Sequence, residues 1–314
     1  MKKAQRLASR LPPKWSRRVR EAGKVLINYR GARSTGARGI LFNLVSRYSP
    51  MVATEYGNGR ILVDTNDGEI GRSLFITHDY ERRYMGAAVD YLKQAGGASP
   101  GPVFVDVGAN IGISTLDALL HFGFEKAVCF EPDSRNFRIL KMNLVLNDLD
   151  EKVSAHRMAL SNCEGERLLQ RTDGNSGDSQ LVTPTDAGGP GGGDREMCEI
   201  TRLDCYLDAH PGLLEQIGLL WIDAQGHDPL VLQGAERLMK RGTPVVVEYW
   251  PKGLRAHSAL DLFETLAGDN YSSVVDLRVL SDGNLAQATI PTSEIRSLRG
   301  YYLDEEFTDL LLLK

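Results

Sequence analysis

The chain contains 314 residues, of which 42% are hydrophobic and 25% are charged, and its net charge is −4. These proportions are ordinary for a soluble globular protein. The apolar runs fall far short of the roughly 20 residues that cross a bilayer, and the N-terminus lacks the apolar region of a secretory signal. We therefore expect a cytoplasmic protein without a membrane span.

Residues 1–50 form a basic extension in front of an acidic remainder. They hold thirteen Lys or Arg and a single Glu, a net charge of +12, which leaves −16 on residues 51–314. A run of positive charge is most often simply solvated, but it also suits an anionic membrane surface or polysaccharide. Nucleic acid is not expected as a partner, because the aromatic residues are too sparse to stack on bases. Peripheral membrane association is therefore the alternative to a freely cytoplasmic protein.

Residues 51–100 are predicted to form a hairpin and a helix that precede the main domain. Arg60–Asp64 and Ser73–Thr77 are β-prone runs, and Asn66–Gly68 between them is a turn signal. We therefore predict that these two runs pair as antiparallel strands. Tyr84–Ala95 has helical spacing and is followed by two glycines, which can stop a helix.

Residues 101–314 are predicted to form a Rossmann-like α/β domain. Val103–Val107 is a β-branched apolar run typical of a parallel strand buried on both faces. Such runs alternate with helical patterns, which indicates βαβ units and a parallel sheet. The segment Asp173–Asp194 is rich in Gly, Ser, Asp and Pro and is predicted to be a flexible loop. The other predicted strands are Ala127–Glu131, Val153–Leu160, Leu219–Asp223, Pro244–Glu248, Ser273–Leu277 and Leu310–Leu313, and the helices are Ser114–Phe122, Asn136–Leu146, Pro229–Lys240 and Ser258–Leu266.

The four cysteines show no pattern of a metal site or a disulfide framework. No CxxC pair is present, and no histidine stands at zinc-finger spacing from them. We therefore expect reduced, structural thiols and neither a zinc site nor a disulfide framework at these cysteines. The cysteines are Cys129, Cys163, Cys198 and Cys205.

The turn after the first core strand carries the signals of a nucleotide-like cofactor. Gly108 and Gly112 lack a Cβ, so the turn can be tight and a ligand can contact the main chain. Glu131 ends the next strand, where a carboxylate can accept hydrogen bonds from two ribose hydroxyls. Asn110 replaces the second glycine of the dehydrogenase pattern GxGxxG, which argues against a closely bound pyrophosphate. S-adenosylmethionine (SAM) has no phosphate but a cationic sulfonium, which suits the acid at Asp106.

The same residues belong to a longer series of motifs that covers about residues 70–250. The series comprises Phe104–Gly112, Phe130–Pro132, Asn136, Asn143, Asn147, Ala159–Ser161, Thr201–Asp204, Trp221–Asp223, Gly226, Gly234 and Ala235. In this order and spacing it resembles the FkbM-type SAM-dependent methyltransferases. The resemblance implies a class I methyltransferase fold with a mostly parallel seven-stranded sheet and helices on both faces.

The resemblance also implies roles for particular residues in SAM binding. Asp106, Gly108 and Asn110 would line the methionine end of the cofactor. Glu131 would bind the ribose. The other implied contacts are Ala159 and Leu160 at the adenine, and Gly112, Pro132 and Asp223 elsewhere in the pocket.

Methyl transfer to a hydroxyl requires alignment of the reactants and a group that accepts the proton. The candidates at the strand ends and in the loop between them are Asp223, His227 and Glu248. Family members commonly read Asp-Val-Glu-Gly-x-Glu after the fourth strand, whereas this chain reads Asp-Ala-Gln-Gly-His-Asp, with Gln225 in place of the glutamate. The base therefore stays open among the three. The structural alternatives are a helix cap or loop organiser for Asp223, a surface histidine for His227 and a salt bridge for Glu248.

The resemblance implies an O-methyltransferase that acts on a hydroxyl of a sugar, glycan or polyketide. Tyr80 with Glu81, and Trp250 with Pro251, are expected to flank the mouth of the site, because aromatic faces suit a sugar or polyketide ring. Two alternatives stand beside this hypothesis. One is an NAD-dependent oxidoreductase, and the other is a degenerate methyltransferase fold that serves as a binding subunit, which the departure at Gln225 suggests.

Overall fold

The computed structural model describes five stretches of the chain: residues 35–96, 101–172, 174–182, 194–303 and 306–314. The predictions for the basic extension before residue 35 and for the glycine-rich centre of the predicted loop lie outside these residues. Within the described stretches, every helix is too short or too polar to span a membrane.

A helix and a hairpin open the described chain. The helix Thr35–Val45 (α1) is followed by the antiparallel strands Met51–Tyr56 (β1) and Gly59–Asp64 (β2). A two-residue turn joins the strands, and its first residue, Gly57, has a φ of +53°. Turns of this kind match the twist of paired strands, and glycine adopts the positive φ without strain.

The predicted pairing of β2 with Ser73–Thr77 is wrong, because the latter run belongs to the helix Ile70–Thr77 (α2). Asp67, in the predicted turn, instead prepares the start of this helix by accepting a hydrogen bond from the amide of Glu69 at 2.9 Å. Ile70 and Leu74, one helical turn apart, are both buried. The apolar spacing of this short run fits a helix as well as a strand, and tertiary burial decides between them.

The helix Arg82–Gly96 (α3) leads into the core and agrees with the predicted helix. The elements that follow are β3 Val103–Val107, α4 Ile113–Leu120, β4 Lys126–Phe130, α5 Ser134–Leu146, β5 Val153–His156, β6 Ala159–Leu160, β7 Gly165–Thr172, β8 Asn175–Val182, β9 Arg195–Thr201, α6 Leu203–Ala209, α7 Leu213–Gln216 and β10 Ile217–Ile222. The chain then continues through α8 Asp228–Gln233, α9 Glu236–Arg241, β11 Val245–Tyr249, α10 Pro251–Ala256, α11 Leu260–Asn270, β12 Ser273–Asp276, α12 Leu277–Ser281, α13 Leu285–Ala288, β13 Thr289–Pro291, the 3-10 helix Thr292–Ser297, α14 Leu298–Tyr301 and β14 Thr308–Leu313.

Within the described part of the chain, the main sheet has eight strands in the order β13-β12-β14-β11-β10-β3-β4-β5. Strands β11, β10, β3, β4 and β5 pair in parallel, whereas β14, β12 and β13 join antiparallel. The predicted count of seven is corrected by β13, a three-residue strand at the sheet edge that is too short to give a sequence pattern. The result is a doubly wound α/β sheet with an antiparallel extension.

Two apolar clusters cover the two faces of the main sheet. Every residue of β3 and β10 is buried. Their side chains alternate between the clusters, so that Phe104 packs on one face and Val105 on the other. Because protein interiors are close-packed, the ends of these two central strands are held in fixed positions.

A smaller sheet, in the order β6-β9-β7-β8, corrects two predictions. The predicted strand Val153–Leu160 is two strands, since β5 ends at His156 in the main sheet and β6 pairs with β9 in the smaller one. Part of the predicted loop Asp173–Asp194 forms β8, which pairs antiparallel with β7. All residues of β8 are half-buried, so no alternation of apolar and polar side chains marks this strand in the sequence.

The predicted helix Pro229–Lys240 is also two elements, α8 and α9, which break at Gly234. A Cβ on Gly234 would lie 2.0 Å from the carbonyl oxygen of Ser161. The Gly234 carbonyl accepts a hydrogen bond from the amide of Asp204 at 2.9 Å. The helix therefore breaks where another segment approaches the backbone too closely for any side chain.

Candidate active site

Two adjoining cavities lie at the carboxyl-terminal ends of the central parallel strands. Both are lined by Gly108, Asn110, Gly177, Asp223 and Gln225. Open α/β sheets bind their ligands at this edge. The second cavity has a volume of about 550 Å³, which is within the range of small-molecule sites.

Gly108 is required where the ends of β3 and β10 meet. Its φ is +80°, and a Cβ at this position would lie 1.9 Å from the carbonyl oxygen of Asp223. The amide of Asp223 in turn donates to the carbonyl of Val107 at 2.9 Å. The turn predicted from the sequence is therefore as tight as expected, and any side chain at residue 108 would push the two strand ends apart.

Glu131 lines the first cavity, and the main chain holds both of its carboxyl oxygens. The amide of Asn110 donates to Oε2 and the amide of Asp133 donates to Oε1, each at 2.7 Å. Burial raises the pKa of Glu131 to about 8, and the two amide hydrogen bonds oppose this shift. The carboxyl group is thus fixed in place beside the first cavity, with lone pairs left for a ligand.

Pro132, Ala159 and Leu160, which were assigned to the cofactor, also line the first cavity. Asp106 and Gly112, by contrast, are not among the described residues that line either cavity. Asp106 is buried behind the turn, where its carboxyl accepts a hydrogen bond from the Thr115 hydroxyl at 2.5 Å. The expectation that Asp106 lines the methionine end is therefore corrected to a position behind the pocket wall.

Gly112 shapes the packing of the turn. Its φ is +95°, and a Cβ there would lie 2.6 Å from Cδ1 of Leu140. Leu140 is fully buried on α5, so it has little freedom to move away. Gly112 lets α4 start close to α5 and is a packing residue in this structure rather than part of the cavity wall.

Asp223 stands at the boundary of the two cavities, and its side chain is exposed to them. Gln225, the residue that departs from the family pattern, donates a hydrogen bond from Nε2 to Asp223 Oδ1 at 2.8 Å. Enclosure by protein raises the pKa of Asp223, and this hydrogen bond opposes the shift. Gln225 thus orients the carboxyl group without adding a second negative charge beside it.

Asp228, not Asp223, organises the loop after β10. The amides of Ala224 and Gly226 donate to its carboxyl oxygens at 3.2 and 2.9 Å. Its side chain is fully buried, and burial raises its pKa to about 7. The role of loop organiser considered for Asp223 therefore belongs to Asp228.

His227 lines the first cavity and is absent from the lining of the second. Its Nε2 lies 3.0 Å from Oγ of Ser161. Burial lowers the pKa of His227 to about 4, so the ring is neutral at pH 7. A neutral ring in the first cavity is placed for contact with a cofactor, away from the second cavity.

The second cavity contains acids that sequence reasoning only partly foresaw. Glu248 was a candidate base, and Glu81 was expected near the mouth, whereas Asp309 was missed. Burial and neighbouring carboxylates raise the pKa of Glu81 to about 7 and those of Glu248 and Asp309 well above their usual range. The sequence signal for Asp309 is its place before the apolar run of β14, which becomes meaningful only once β14 is known to lie beside β11.

Aromatic side chains form part of the wall of the second cavity. Tyr80 and Trp250, which were expected at the mouth, line it together with Trp221 from β10. Pro251 starts α10 and is buried. Aromatic faces beside acidic groups suit a ring that carries polar substituents.

The segment 174–179 of the β7–β8 hairpin contributes to the wall of the first cavity, although its sequence predicted a flexible loop. Ser176 and Ser179 line this cavity. The Ser176 hydroxyl donates to Asp67 at 2.5 Å, and its carbonyl accepts from Nδ2 of Asn136 at 2.9 Å. Hydrogen bonds therefore hold this segment to the loop before α2 and to α5. We call residues 174–179 the strap.

The residues of the first cavity fit SAM. Oδ1 of Asn110, which lines both cavities, is buried and accepts no hydrogen bond from the described residues. A buried acceptor of this kind requires a donor, and the ribose hydroxyls and the amino group of SAM are donors. Glu131 would hold the ribose and Ala159 with Leu160 would contact the adenine. Within the described stretches, no group of three His, Cys, Asp or Glu side chains is arranged to hold a metal ion.

The sheet order and this site define a class I SAM-dependent methyltransferase. Residues 106–271 match the methyltransferase FkbM domain. The chain is also 32% identical over 178 residues to methyltransferase sdnD of Sordaria araneosa. The match covers 49% of this chain and 69% of that protein. The chain belongs to the FkbM methyltransferase family, and its cofactor is SAM.

Solved structures similar to this chain include methyltransferase FkbM from Methylobacillus flagellatus, which is 15% identical. The match covers 76% of this chain and 55% of that one, with a TM-score of 0.39. An O-methyltransferase from Bacillus cereus in complex with S-adenosylhomocysteine (SAH) is 14% identical. That match covers 76% of this chain and 84% of the other, with a TM-score of 0.36.

Proposed function

We propose that this methyltransferase transfers the methyl group of SAM to a hydroxyl oxygen of a sugar, glycan or polyketide-type acceptor bound in the second cavity. The position of Asp223 carries this proposal. Asp223 lines both cavities, so its carboxyl group stands where a methyl donor in the first cavity and a hydroxyl in the second would meet.

When bound, SAM supplies an electrophilic methyl group on its sulfonium. A neutral hydroxyl is a poor nucleophile, so a base must take its proton as the carbon–oxygen bond forms. In our proposal the Asp223 carboxylate accepts this proton while Gln225 holds it in position at 2.8 Å. Its raised pKa makes it a stronger base than an ordinary aspartate.

The other two candidate bases fit this role less well. His227 has a pKa of about 4, which makes it a weak base at pH 7, and it lines the first cavity. Glu248 lines the second cavity but not the first, so it is not at the boundary where the methyl donor and the hydroxyl would meet. Glu248 therefore ranks second as the base, and we assign His227 to the cofactor side.

The test is transfer of labelled methyl from SAM to a panel of sugars, glycans and polyketide alcohols, followed by analysis of the product. The proposal expects an O-methyl ether whose formation depends on Asp223. A product methylated on nitrogen or carbon would contradict it. Absence of transfer with retained SAH binding would favour the degenerate binding subunit. Membership of a methyltransferase family leaves no support for the NAD-dependent oxidoreductase.

A second proposal concerns the basic extension, residues 1–50, and rests on its net charge of +12. We propose that it binds an anionic membrane surface or polysaccharide. Deletion of residues 1–34 should leave SAH affinity unchanged and weaken sedimentation with anionic vesicles in a salt-dependent way. Loss of SAH binding on deletion would contradict this separation of extension and site.

A further inference from the structure

Six acids besides Asp223 line the second cavity, and none of them has a part in the mechanism proposed above. Three of the six, Glu81, Glu248 and Asp309, are close enough to repel one another. Glu248 and Asp309 are direct register partners across the antiparallel pair β11–β14. Side chains directly opposite each other in such a pair project from the same face, and like charges in this position are destabilising. Glu81 enters the same cavity from the segment before α3. Three carboxyl groups from distant parts of the chain thus converge on one space.

The described residues that line this cavity include no Lys, Arg or His. Arg83, outside the lining, attracts Glu81. Asp117 provides a contrast in the same wall, because Arg82 donates to it at 2.7 Å and Tyr56 also at 2.7 Å. Oε2 of Glu248, however, is buried and accepts no hydrogen bond from the described residues. A buried acceptor without a donor costs its full desolvation free energy, so this oxygen indicates that a ligand supplies the donor.

The cofactor alone does not neutralise these three acids. SAM carries two cationic groups and one carboxylate, so its net charge neutralises one carboxylate. Glu81, Glu248 and Asp309 line the second cavity but not the first. Gly108 and Asn110, which are expected at the methionine end of SAM, line both cavities, so the ammonium of SAM can pair with one of these acids. The other acids are left to whatever else occupies the second cavity. The aromatic rings of Tyr80, Trp221 and Trp250 in the same wall would attract a cation further.

We propose that the second cavity selects an acceptor that carries a protonated amine close to the hydroxyl that is methylated. Glu81, Glu248 and Asp309 are the residues that recognise the ammonium group. This inference rests on the proposed function, since it describes the acceptor of the same site. An amino sugar has the required chemistry: ammonium donors for the acids, a ring face for the aromatic residues and a hydroxyl for Asp223.

The test is calorimetric binding at pH 7.5 to the full chain saturated with SAH, with three matched probes. Methyl 6-amino-6-deoxyglucopyranoside carries the ammonium, its N-acetyl derivative keeps the nitrogen without charge, and methyl glucopyranoside has a hydroxyl instead. We expect the ammonium probe to bind about tenfold to a hundredfold more tightly than either neutral probe. The double variant E248Q/D309N keeps the side-chain shapes and should abolish this preference while SAH affinity is retained.

The matched control is D90N/E151Q, which removes two exposed acids outside the cavity and should keep the preference. If the E248Q/D309N protein does not fold, Glu81→Gln alone should reduce the preference. Equal binding of the three probes, tighter binding of a neutral probe, or no binding of any probe would overturn the inference. Competition of Mg²⁺ with the ammonium probe, at a site lost in E248Q/D309N, would overturn it in favour of a metal site.

The proposed function and this inference fail in different ways. O-methylation of neutral alcohols with no preference for the ammonium probe leaves the function standing and removes the inference. Tight binding of the ammonium probe without methyl transfer to any hydroxyl removes the function and leaves the cation site.

Discussion

The two cavities share lining residues, but the acids in their walls differ in their hydrogen bonding. In the first, the carboxyl of Glu131 has both oxygens bonded to amides of its own chain. In the second, an oxygen of Glu248 has no donor among the described residues, and Asp309 faces it across the sheet. The chain thus satisfies the acid of the first cavity with its own amides, whereas the acid of the second cavity lacks a donor among the described residues.

The largest effect is expected at the boundary between the cavities. Asp223→Asn keeps shape and hydrogen bonding but cannot take up a proton, so the methyl-transfer rate should fall by about 10²–10⁴-fold. SAH affinity should change little, because the cofactor contacts remain. The measurement is single-turnover transfer alongside calorimetric SAH binding, with the exposed Asp90→Asn as control. Normal turnover in Asp223→Asn with loss in Glu248→Gln or His227→Ala would move the base, and no effect in any of them would leave alignment alone to carry the reaction.

The second largest effect is expected on SAM affinity, when Glu131 in the first cavity is changed. Glu131→Gln places an amide NH₂ against one of the two main-chain amides that now donate to the carboxylate, and it removes the charge. SAM affinity should fall about 10- to 100-fold, while the rate at saturating SAM changes far less. The exposed Glu125→Gln is the matched control. Unchanged affinity in Glu131→Gln would show that this acid does not bind the cofactor.

A smaller effect is expected at the strap in the wall of the first cavity. Ser176→Ala removes the hydroxyl that donates to Asp67 and leaves the main-chain hydrogen bond to Asn136 in place. SAH should dissociate about threefold to tenfold faster, measured by stopped-flow fluorescence. Ser281→Ala, which loses an exposed local hydrogen bond far along the chain, should have no effect. An unchanged dissociation rate in Ser176→Ala would mean that the strap does not retain the cofactor.

The smallest effect concerns stability and pH. Glu81 has a pKa of about 7 in the folded protein against an ordinary value of 4.5. Unfolding between these values releases a proton, so the stability of the ligand-free protein should fall as the pH rises from about 4.5 to 7. Thermal melting of the Glu81→Gln protein should show a shallower decline over this range than that of the wild type. An identical slope would show that Glu81 is not the group responsible.

The sequence alone was enough to place three residues in the wall of the first cavity, whereas Asp106 and Gly112 lie outside it. Gly108, Asn110 and Glu131 lie within one βαβ unit, where local spacing fixes their relation: two strand ends and the turn between them. The long buried strands were also predictable, because a continuous apolar run such as Val103–Val107 has few alternatives. These features depend on residues that are close in the chain.

The tertiary structure decided the elements whose local pattern was ambiguous or absent. Ser73–Thr77 is helical because burial selects one of two compatible patterns, and β8 forms from polar residues because β7 offers it a partner. The helix Pro229–Lys240 breaks because Ser161 approaches Gly234. Each of these outcomes depends on a neighbour that is remote in sequence, so local propensity could not foresee it.

The sequence by itself determined that this chain binds SAM on a Rossmann-like sheet, because the motifs that indicate this cofactor are close together in the chain. Only the tertiary structure decided that Asp309 joins Glu81 and Glu248 in the lining of the second cavity. Glu81, Glu248 and Asp309 come from three distant segments, and they meet because β14 inserts antiparallel beside β11. The physical reason is that electrostatic repulsion and hydrogen bonding depend on the distances between groups in the folded protein. The order of residues along the chain does not specify these distances.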